Sequence, residues 1–382
     1  MSDRSFERLS AWKSTVLSIA MVVSSLLSIA GSGAIVRISH LKLSSTYQRF
    51  LLMLSLSDIF NSFFLILHPF LIPKESNIKW AAGNQTSCSF VGFFFVFGAL
   101  VVSLYNCFLS LYFYLSIQAS PTRQKEPEHH VGKPELVTHL ACWLLPIAFG
   151  AAATGTKSVN FDPTIELCLV TSEDSALSYF FQATIMVTAF LGFATTVAVK
   201  CYVSETLKGG REPGFDANSL SHDTEQRLAA VCSQSILFTT SYLFCFVWPA
   251  LALTISPKST DAYFVLQLLA FLLYPLQGLF NCSIYLRPRY QMLRQMYPSD
   301  PAIVVFRMAA SKAGDPEELE NIRASIYGSD YQSSSESSSE SSLASDLPLE
   351  VEFDPEKPAS ITSLVSSAED QSDSSDQEEK DT

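Results

Sequence analysis

The sequence has 382 residues, of which 48% are hydrophobic and only 16% are charged, against about a quarter in ordinary soluble domains. This composition excludes an ordinary soluble enzyme. The net charge of −12 is unevenly distributed, because residues 300–382 hold 20 acidic and 5 basic side chains, whereas the 299 residues before them hold 17 and 20. A mildly basic body of +3 therefore carries an acidic tail of −15, and each region has its own partners.

Seven apolar stretches follow one another in the body, and Asp58 is the only Lys, Arg, Asp or Glu residue in them. Each stretch has the roughly 20 residues that a helix needs to cross about 30 Å of hydrocarbon. Backbone groups in lipid must be hydrogen-bonded within the segment, so helices are expected. The stretches are Ser14–Val36, Phe50–Pro73, Trp80–Thr122, Leu136–Thr156, Ser175–Val199, Leu228–Pro257 and Ala262–Leu286. We predict an all-α membrane protein, a seven-transmembrane helix bundle over residues 14–286. Seven such stretches argue against a soluble protein with buried core helices.

The distribution of Lys and Arg predicts the orientation of the bundle. Thirteen of them follow the first, third, fifth and seventh stretches, whereas seven lie on the other side. Because cytoplasmic loops carry the excess of positive charge, the short N-terminus, residues 1–13, is predicted outside and the C-terminus inside. A multi-pass protein of the plasma membrane is expected.

Polar side chains recur at similar depths in spans two, three and seven. At 1.5 Å per residue, Asp58 lies about 12 Å from the inner end of its span, Asn61 and Asn106 lie about 16 Å, and Asn281 about 7 Å. A charge at that depth is costly unless it finds partners inside the bundle. We predict a polar cluster of these four residues that rearranges on activation. The alternative is a static hydrogen-bonded packing element.

Two features belong to the predicted outer side. Asn84-Gln85-Thr86 is an N-glycosylation sequon close to the membrane, whereas the second match, Asn281-Cys282-Ser283, lies inside span seven. Cys88, at the outer start of span three, and Cys168, in the loop between spans four and five, are the only cysteines predicted in the oxidising compartment. We predict a disulfide bond between them that tethers the loop over the bundle. Two free thiols are the alternative.

Prolines inside spans six and seven mark candidate hinges. Proline removes a backbone hydrogen bond and bends its helix. We predict hinges at Trp248-Pro249 and at Pro275-x-x-Gly278. The alternative is a set of fixed kinks that shape the bundle.

Two regions follow the last span. Residues 287–297 contain three arginines among apolar residues and are predicted to form an amphipathic helix on the inner membrane surface, the alternative being continuation of span seven. Residues 298–382 are predicted to be a disordered cytoplasmic tail, rich in Ser, Asp and Glu from position 329 onward. Ser333 and Ser337 precede acidic residues, and we predict their phosphorylation and recruitment of an arrestin-like adaptor. A plain solvated spacer is the alternative.

The spans also limit the functional class. The seventh has no Lys for a retinal Schiff base. Repeat-type transporters have two similar halves, whereas the two halves of this sequence share no repeated motif. The spans also lack the several charged residues that are usual in channels and pumps. No catalytic, metal-ligand or phosphate-binding pattern is found, so no enzyme activity and no cofactor are predicted. A G-protein-coupled receptor is the leading interpretation. The alternative is a seven-span transporter or channel.

Several local patterns resemble one receptor family. Span seven carries Tyr274-Pro275-Leu276-Gln277-Gly278-Leu279-Phe280-Asn281 followed by Tyr285-x-Arg287-Pro288, and weaker patterns are Leu54–Asp58 with Asn61, His139-x-x-Cys142-Trp143-x-x-Pro146, and Gln234 with Trp248-Pro249. These resemble the cyclic-AMP-receptor-like G-protein-coupled receptors of protists, over about residues 14–290. The resemblance implies detection of an extracellular ligand and activation of a heterotrimeric G protein, or another cytoplasmic effector, by helix rearrangement.

Two features of the sequence limit what can be inferred from this resemblance. Span three ends in Tyr112-Phe113-Tyr114-Leu115-Ser116-Ile117-Gln118, without the acid–arginine pair of rhodopsin-like receptors, so other groups must form the inner latch. The loop between spans four and five has a net charge of −3, which disfavours an anionic ligand such as a cyclic phosphate.

Overall fold

The computed structural model of the chain describes residues 10–39, 45–76, 78–118, 132–171, 175–209, 222–255, 260–311 and 319. Nine α-helices occur in these ranges. They are α1 Ala11–Ser39, α2 Thr46–Leu71, α3 Gln85–Gln118, α4 Gly132–Gly155, α5 Ser175–Gly209, α6 His222–Thr254, α7 Thr260–Leu273, α8 Gln277–Met296 and α9 Ala302–Ala309. Two strands, β1 Val159–Asp162 and β2 Leu167–Val170, lie between α4 and α5, and 3₁₀ turns occupy Lys74–Ser76 and Tyr274–Leu276.

Seven helical segments are long and apolar enough to cross a membrane, with α7 and α8 together forming the seventh. The prediction of a seven-helix membrane bundle is confirmed. Large apolar side chains remain exposed on the outer faces of the helices, among them Leu144 and Phe190. In water such a surface would be unstable, but lipid is its natural solvent.

The contacts divide the chain into two compact units. The first comprises the described residues up to Glu205 together with Cys232–Ile284, and it contains the helix bundle. Within it α3 is central, because it packs against α2, α4 and both strands and is more buried than any other span. The apolar sequence of α3 therefore faces protein on most sides.

A break in the seventh span separates α7 from α8. Helix α7 ends at Leu273, a single 3₁₀ turn follows over Tyr274–Leu276, and α8 begins at Gln277. Pro275 explains the break, since it cannot donate the backbone hydrogen bond that would continue α7. Beyond it, α8 runs to Met296 with Pro288 in its interior. The segment predicted as a separate helix at 287–297 is therefore continuous with the seventh span.

An antiparallel hairpin forms the loop between α4 and α5, which the sequence did not predict. Phe161 of β1 pairs with Cys168 of β2, and the disulfide bond between Cys88 and Cys168 joins β2 to the start of α3. The predicted disulfide is confirmed. Gly92 permits the close approach, because a Cβ there would lie 2.4 Å from Val159 Cγ1 and 2.9 Å from the Cys168 carbonyl oxygen.

The second unit contains the end of α8 and the helix α9. Its core consists of Leu293, Val304, Val305, Met308, Ala309 and Leu319. The prediction of disorder from residue 298 is wrong for residues 302–309, which form α9. The sequence there, AIVVFRMA, is apolar enough to bury one face against α8, whereas the acidic, serine-rich sequence begins further on. The remainder of the tail, with Ser333 and Ser337, lies outside the described residues.

Candidate functional site

Asp58 lies at the centre of a polar contact between three helices. Its side chain on α2 is buried, at 3% exposure. Asn281 Nδ2 on α8 donates a hydrogen bond to Asp58 Oδ2 over 2.9 Å, and Ser32 Oγ on α1 lies 3.5 Å from the same oxygen. The contact thus joins α1, α2 and α8 through one carboxyl group.

Asn61 lies one helical turn further along α2 and contacts the break in the seventh span. Its Nδ2 donates to the hydroxyl of Tyr274 over 3.1 Å. On its other side α3 approaches at Gly98, where a Cβ would lie 2.5 Å from Asn61 Oδ1. Asn61 therefore connects α2 with the first residue of the 3₁₀ turn.

Asn106 has different neighbours from the other three predicted cluster residues. Its Nδ2 donates to Val102 of its own helix over 2.8 Å, and its buried Oδ1 has no hydrogen-bond partner among the described residues. The Asn106 carbonyl accepts from Ser110, whose hydroxyl lies 3.1 Å from that of Thr239. Asn106 thus belongs to a polar contact between α3 and α6, whereas Asp58 and Asn281 contact each other directly.

Serines of α1 supply hydrogen bonds to the broken seventh span. Pro275 leaves the Phe271 carbonyl without its helical donor, and Ser24 Oγ lies 3.2 Å from that oxygen. On the other side of the turn, Gly278 N donates to Ser28 Oγ over 3.1 Å. Sequence reasoning missed these serines, although buried serines recur along α1 at helical spacing.

The predicted hinge in α6 contacts the same break through aromatic rings. Phe246, two residues before Trp248, lies 5.1 Å from Tyr274 between ring centroids in an edge-on arrangement. Pro249 lies inside α6, and the buried Nε1 of Trp248 has no hydrogen-bond partner among the described residues. The ring contact therefore connects the proline-containing part of α6 with the turn in the seventh span.

The inner side carries an ion pair that sequence reasoning did not identify. Arg49 of α2 donates from Nε and Nη2 to the two carboxylate oxygens of Glu135 of α4, over 2.5 and 2.8 Å. Thr46 accepts from Arg49 Nη2 over 2.9 Å, and His139 Nε2 lies 3.6 Å from Glu135. The bidentate geometry makes this a specific contact between the inner ends of α2 and α4. Its only sequence signal is that Glu135 is the last charged residue before span four.

On the outer side, Asn84 caps the N-terminus of α3. Its Oδ1 accepts from Ser87 N over 2.9 Å, and Ser87 Oγ donates to the Leu71 carbonyl at the end of α2. The Asn84 side chain is exposed, as a glycosylation acceptor must be. Its modification remains a prediction.

A cavity of about 610 Å³ opens between the start of α1, the loop after α2 and the hairpin. Its lining includes Ser14, Glu75, Lys79 and Glu166. Burial raises the pKa of the Glu166 carboxyl above its ordinary value, although the nearby Ser14 hydroxyl opposes the shift. The cavity can hold a small polar molecule and offers carboxyl groups to a cationic one. The described residues contain no cluster of potential metal ligands.

Comparisons with known proteins agree with this architecture. The sequence matches the Frizzled/Smoothened family membrane region over residues 70–260, half of the chain. The fold is similar to that in the crystal structure of squid rhodopsin, with a TM-score of 0.53 and 13% sequence identity over 79% of this chain and 84% of that one. No curated protein matches the sequence significantly. The chain is a seven-helix receptor that is similar in fold to G-protein-coupled receptors, and it belongs to the Frizzled/Smoothened family.

Proposed function

We propose that this receptor detects an extracellular ligand and activates a heterotrimeric G protein through rearrangement of the polar contact at the break in the seventh span. The hydrogen bond from Asn281 to Asp58 is the observation that carries the proposal. It links the interior of α2 to α8 only a few residues beyond the 3₁₀ turn. Movement of α8 about that turn changes this bond before any other polar contact of Asp58.

The energetics suit a switch with two accessible states. A hydrogen bond to a charged group contributes only about 1.5–3 kcal/mol net, so exchanging one partner of the Asp58 carboxylate for another costs little overall. A carboxyl group left without partners inside the membrane would be costly, which limits the number of alternative arrangements. Trp248-Pro249 and Pro275-x-x-Gly278 are the proposed hinges, and Asp58, Asn61, Asn106 and Asn281 the residues that respond.

The outer cavity is the proposed ligand site. It lies beside the disulfide-tethered hairpin, and Gln267 Nε2 of α7 donates to the Thr164 carbonyl in the hairpin turn over 2.6 Å. A ligand seated against Glu166 would press on a turn that is bonded directly to α7. The acidic lining favours a cation or a neutral polar molecule over an anion.

Two further assignments belong to the proposal. Kinship with cyclic-AMP-receptor-like proteins rests on the motif from Tyr274 to Asn281, which lies outside the matched residues 70–260. This similarity supports helix rearrangement as the mechanism, and cyclic AMP is not proposed as the ligand. The plasma membrane is the proposed location, with residues 1–13 outside and the acidic tail, phosphorylated at Ser333 and Ser337, binding an arrestin-like adaptor inside.

The test is nucleotide exchange on a panel of purified G proteins, using membranes that contain the receptor and cell-conditioned medium as the source of ligand. Asp58→Asn should reduce ligand-dependent exchange at least tenfold, because the amide keeps one acceptor oxygen for Asn281 and Ser32 but removes the negative charge and replaces the second oxygen with a donor. Ser57→Ala is the matched control, since Ser57 bonds only the Met53 carbonyl of its own helix among the described contacts.

Unchanged exchange and ligand affinity in Asp58→Asn would disprove the switch. No exchange on any G protein, with the receptor folded at the cell surface, would disprove G-protein coupling. Solute uptake or current in liposomes that contain only this protein would establish a transporter or channel.

A further inference from the structure

The outer cavity has unpaired charges of both signs on its walls. Lys79, in the loop after α2, is exposed, and Glu166, in the hairpin turn, is half-buried. Neither side chain forms an ion pair with another residue in the part of the chain that the structure describes. Lys13, which does not line the cavity, is by contrast paired with Asp261 over 2.6 Å. The walls therefore offer an ammonium group and a carboxyl group to one bound molecule.

A buried hydroxyl group indicates where a ligand donor would lie. Ser14 of α1 lines the cavity beside Glu166 and is only 5% exposed. Its buried Oγ makes no hydrogen bond with any residue that the structure describes. Buried polar groups are nearly always hydrogen-bonded, so an unpaired one at the wall of a cavity indicates a group supplied by a ligand. An ammonium group has three N–H donors and can bond this hydroxyl and the Glu166 carboxylate together.

The loop that presents Lys79 is anchored at its base and in its middle. Gly83 N donates to the Ile72 carbonyl over 2.9 Å, and Lys74 N donates to the Gly83 carbonyl over 3.2 Å. Ile78, the neighbour of Lys79, packs against the apolar cluster around the disulfide bond. The backbone at Lys79 is therefore held beside the cavity, and the long side chain can adjust to a bound anionic group.

Apolar side chains complete the lining of the cavity. Pro73, Ile78, Phe161 and Pro163 contribute to it. The volume of about 610 Å³ falls within the roughly 300–1,000 Å³ of small-molecule sites, which combine apolar walls with a few fixed polar groups. A ligand that fits this lining carries an apolar side chain as well as its charged groups.

A ligand with a single charge meets a like charge on these walls. A cation meets Lys79, whereas an anion meets Glu166 and also Glu75. Unfavourable pairs of like charge reject such ligands, and a molecule with one charge of each sign forms two favourable pairs. The arrangement therefore selects a zwitterion.

We propose that the outer cavity binds a zwitterionic amino acid with an apolar side chain. Its ammonium group lies between Glu166 and Ser14, and its carboxylate pairs with Lys79. The apolar side chain packs against the wall that contains Phe161. This inference rests on the cavity being the ligand site of the proposed function, and it names the class of ligand.

The experiment measures binding to the purified full-length receptor in nanodiscs, without a G protein, by isothermal titration calorimetry. Phenylalanine and leucine are the zwitterionic probes. Phenylalaninamide lacks the carboxylate, and N-acetylphenylalanine lacks the ammonium group. Phenylalanine should bind about tenfold more tightly than N-acetylphenylalanine, because a partly buried carboxylate loses its partner. It should bind severalfold more tightly than phenylalaninamide, since the exposed Lys79 pair is screened by solvent.

Two variants separate the charged groups. Glu166→Gln should weaken phenylalanine binding about tenfold without weakening that of N-acetylphenylalanine. Lys79→Gln should weaken phenylalanine binding severalfold without weakening that of phenylalaninamide. Lys74→Gln is the matched control, because Lys74 is exposed in the same loop but does not line the cavity, and its affinities should equal those of the parent.

Absence of binding by both phenylalanine and leucine, or equal affinities for phenylalanine and its two analogues, would overturn the proposal. Failure of the proposed function has a different signature. Phenylalanine binding without nucleotide exchange on any G protein would uphold the ligand class and disprove the coupling. Exchange stimulated by conditioned medium that persists unchanged in Glu166→Gln and Lys79→Gln would uphold the receptor and overturn this ligand site.

Discussion

Small residues set the distance between α1 and the seventh span. A Cβ on Gly31 would lie 2.7 Å from the Leu279 Cα, and one on Gly278 would lie 2.2 Å from Ser32 Oγ and 2.5 Å from Ser28 Oγ. The two glycines therefore let the helices approach closely enough for Ser28 and Ser32 to reach α8. The polar contact around Asp58 depends on that approach.

We expect Gly278→Ala to destabilise the folded receptor by about 1–3 kcal/mol, the usual cost of overpacking a close contact. The same change should lower ligand-dependent exchange, because Ser32 is pushed away from Asp58. Thermal unfolding in detergent measures the first effect. Gly33→Ala is the control, since nothing lies within 4 Å of a Cβ there. Equal melting temperatures for the two variants would show that α1 and α8 do not require the close approach.

The pair Arg49 and Glu135 connects the inner ends of α2 and α4. Glu135 is nearly buried, at 9% exposure, whereas the Arg49 side chain is one-third exposed. Tyr105 extends the contact towards α3, because its hydroxyl lies 3.0 Å from His139 Nδ1 and accepts from Trp143 Nε1 over 2.9 Å. One chain of hydrogen bonds and ion contacts thus joins three helices near the inner side.

A double-mutant cycle with Arg49→Gln and Glu135→Gln should give a coupling energy of about 0.5–3 kcal/mol, as for other contacting pairs in one network. Basal nucleotide exchange should rise in both single variants if the pair holds the inactive arrangement. Thermal unfolding and exchange without ligand measure the two effects. A coupling energy near zero would mean that the pair contributes nothing to the stability of the bundle.

At the scale of elements, the hairpin β1–β2 combines a covalent anchor with an unusual turn. The disulfide bond attaches β2 to α3, and Glu166 in the turn adopts a φ of 58°, in the left-handed region that side chains seldom occupy. The turn places the Glu166 side chain on the wall of the outer cavity. Its carboxyl is therefore less hydrated than on an open surface.

Burial raises the pKa of Glu166 above its ordinary value of 4.5, which predicts a pH-dependent loss of stability. A raised folded-state pKa stabilises the protein below about 4.5, and this contribution disappears as the pH rises through the folded-state value. The melting temperature of Glu166→Gln should therefore rise relative to that of the parent over this pH range. Ser76→Ala on the same cavity gives the baseline. A pH-independent difference between Glu166→Gln and the parent would refute the argument.

The sequence is sufficient for those elements that depend on local composition. Length and the near absence of charge define the seven spans, since a backbone in lipid must hydrogen-bond within its own segment. Depth along the helices also put Asp58 and Asn281 in one proposed cluster, and the structure has them in hydrogen-bond contact. The predicted location of each cysteine identified Cys88 and Cys168 as the disulfide pair, because the other cysteines lie in spans or on the inner side.

Contacts that depend on helix rotation or on strand register were not predictable. The ion pair of Arg49 with Glu135 needs the relative rotation of α2 and α4. Depth alone placed Asn106 in one cluster with Asp58, whereas its side-chain amide donates to Val102 of its own helix. The hairpin requires the register of Phe161 with Cys168. Helix α9 is too short to be stable by itself, and it forms because its apolar face packs against α8.

At the scale of the whole molecule, orientation in the membrane determines which surfaces can meet a ligand. The predicted outer side contains the disulfide bond, the hairpin and the cavity, all at one end of the bundle. The basic loops and the acidic tail are predicted at the other end. Modification of Asn84 would report this orientation directly, because glycan transfer occurs only on the luminal face of the secretory membranes, which corresponds to the outer side of the cell.

Asn84 has two roles that must be separated in the test, since its side chain caps α3 as well as forming the sequon. Thr86→Ala removes the sequon but keeps the cap, because Thr86 is exposed on the first turn of α3. We expect the parent protein to show a glycosidase-sensitive shift in gel mobility, and Thr86→Ala to lose it without a change in melting temperature. Asn84→Gln should lose both the shift and about 1 kcal/mol of stability. Ser283→Ala disrupts the sequon inside the seventh span and should leave the shift unchanged. A shift that persists in Thr86→Ala and vanishes in Ser283→Ala would contradict the predicted topology.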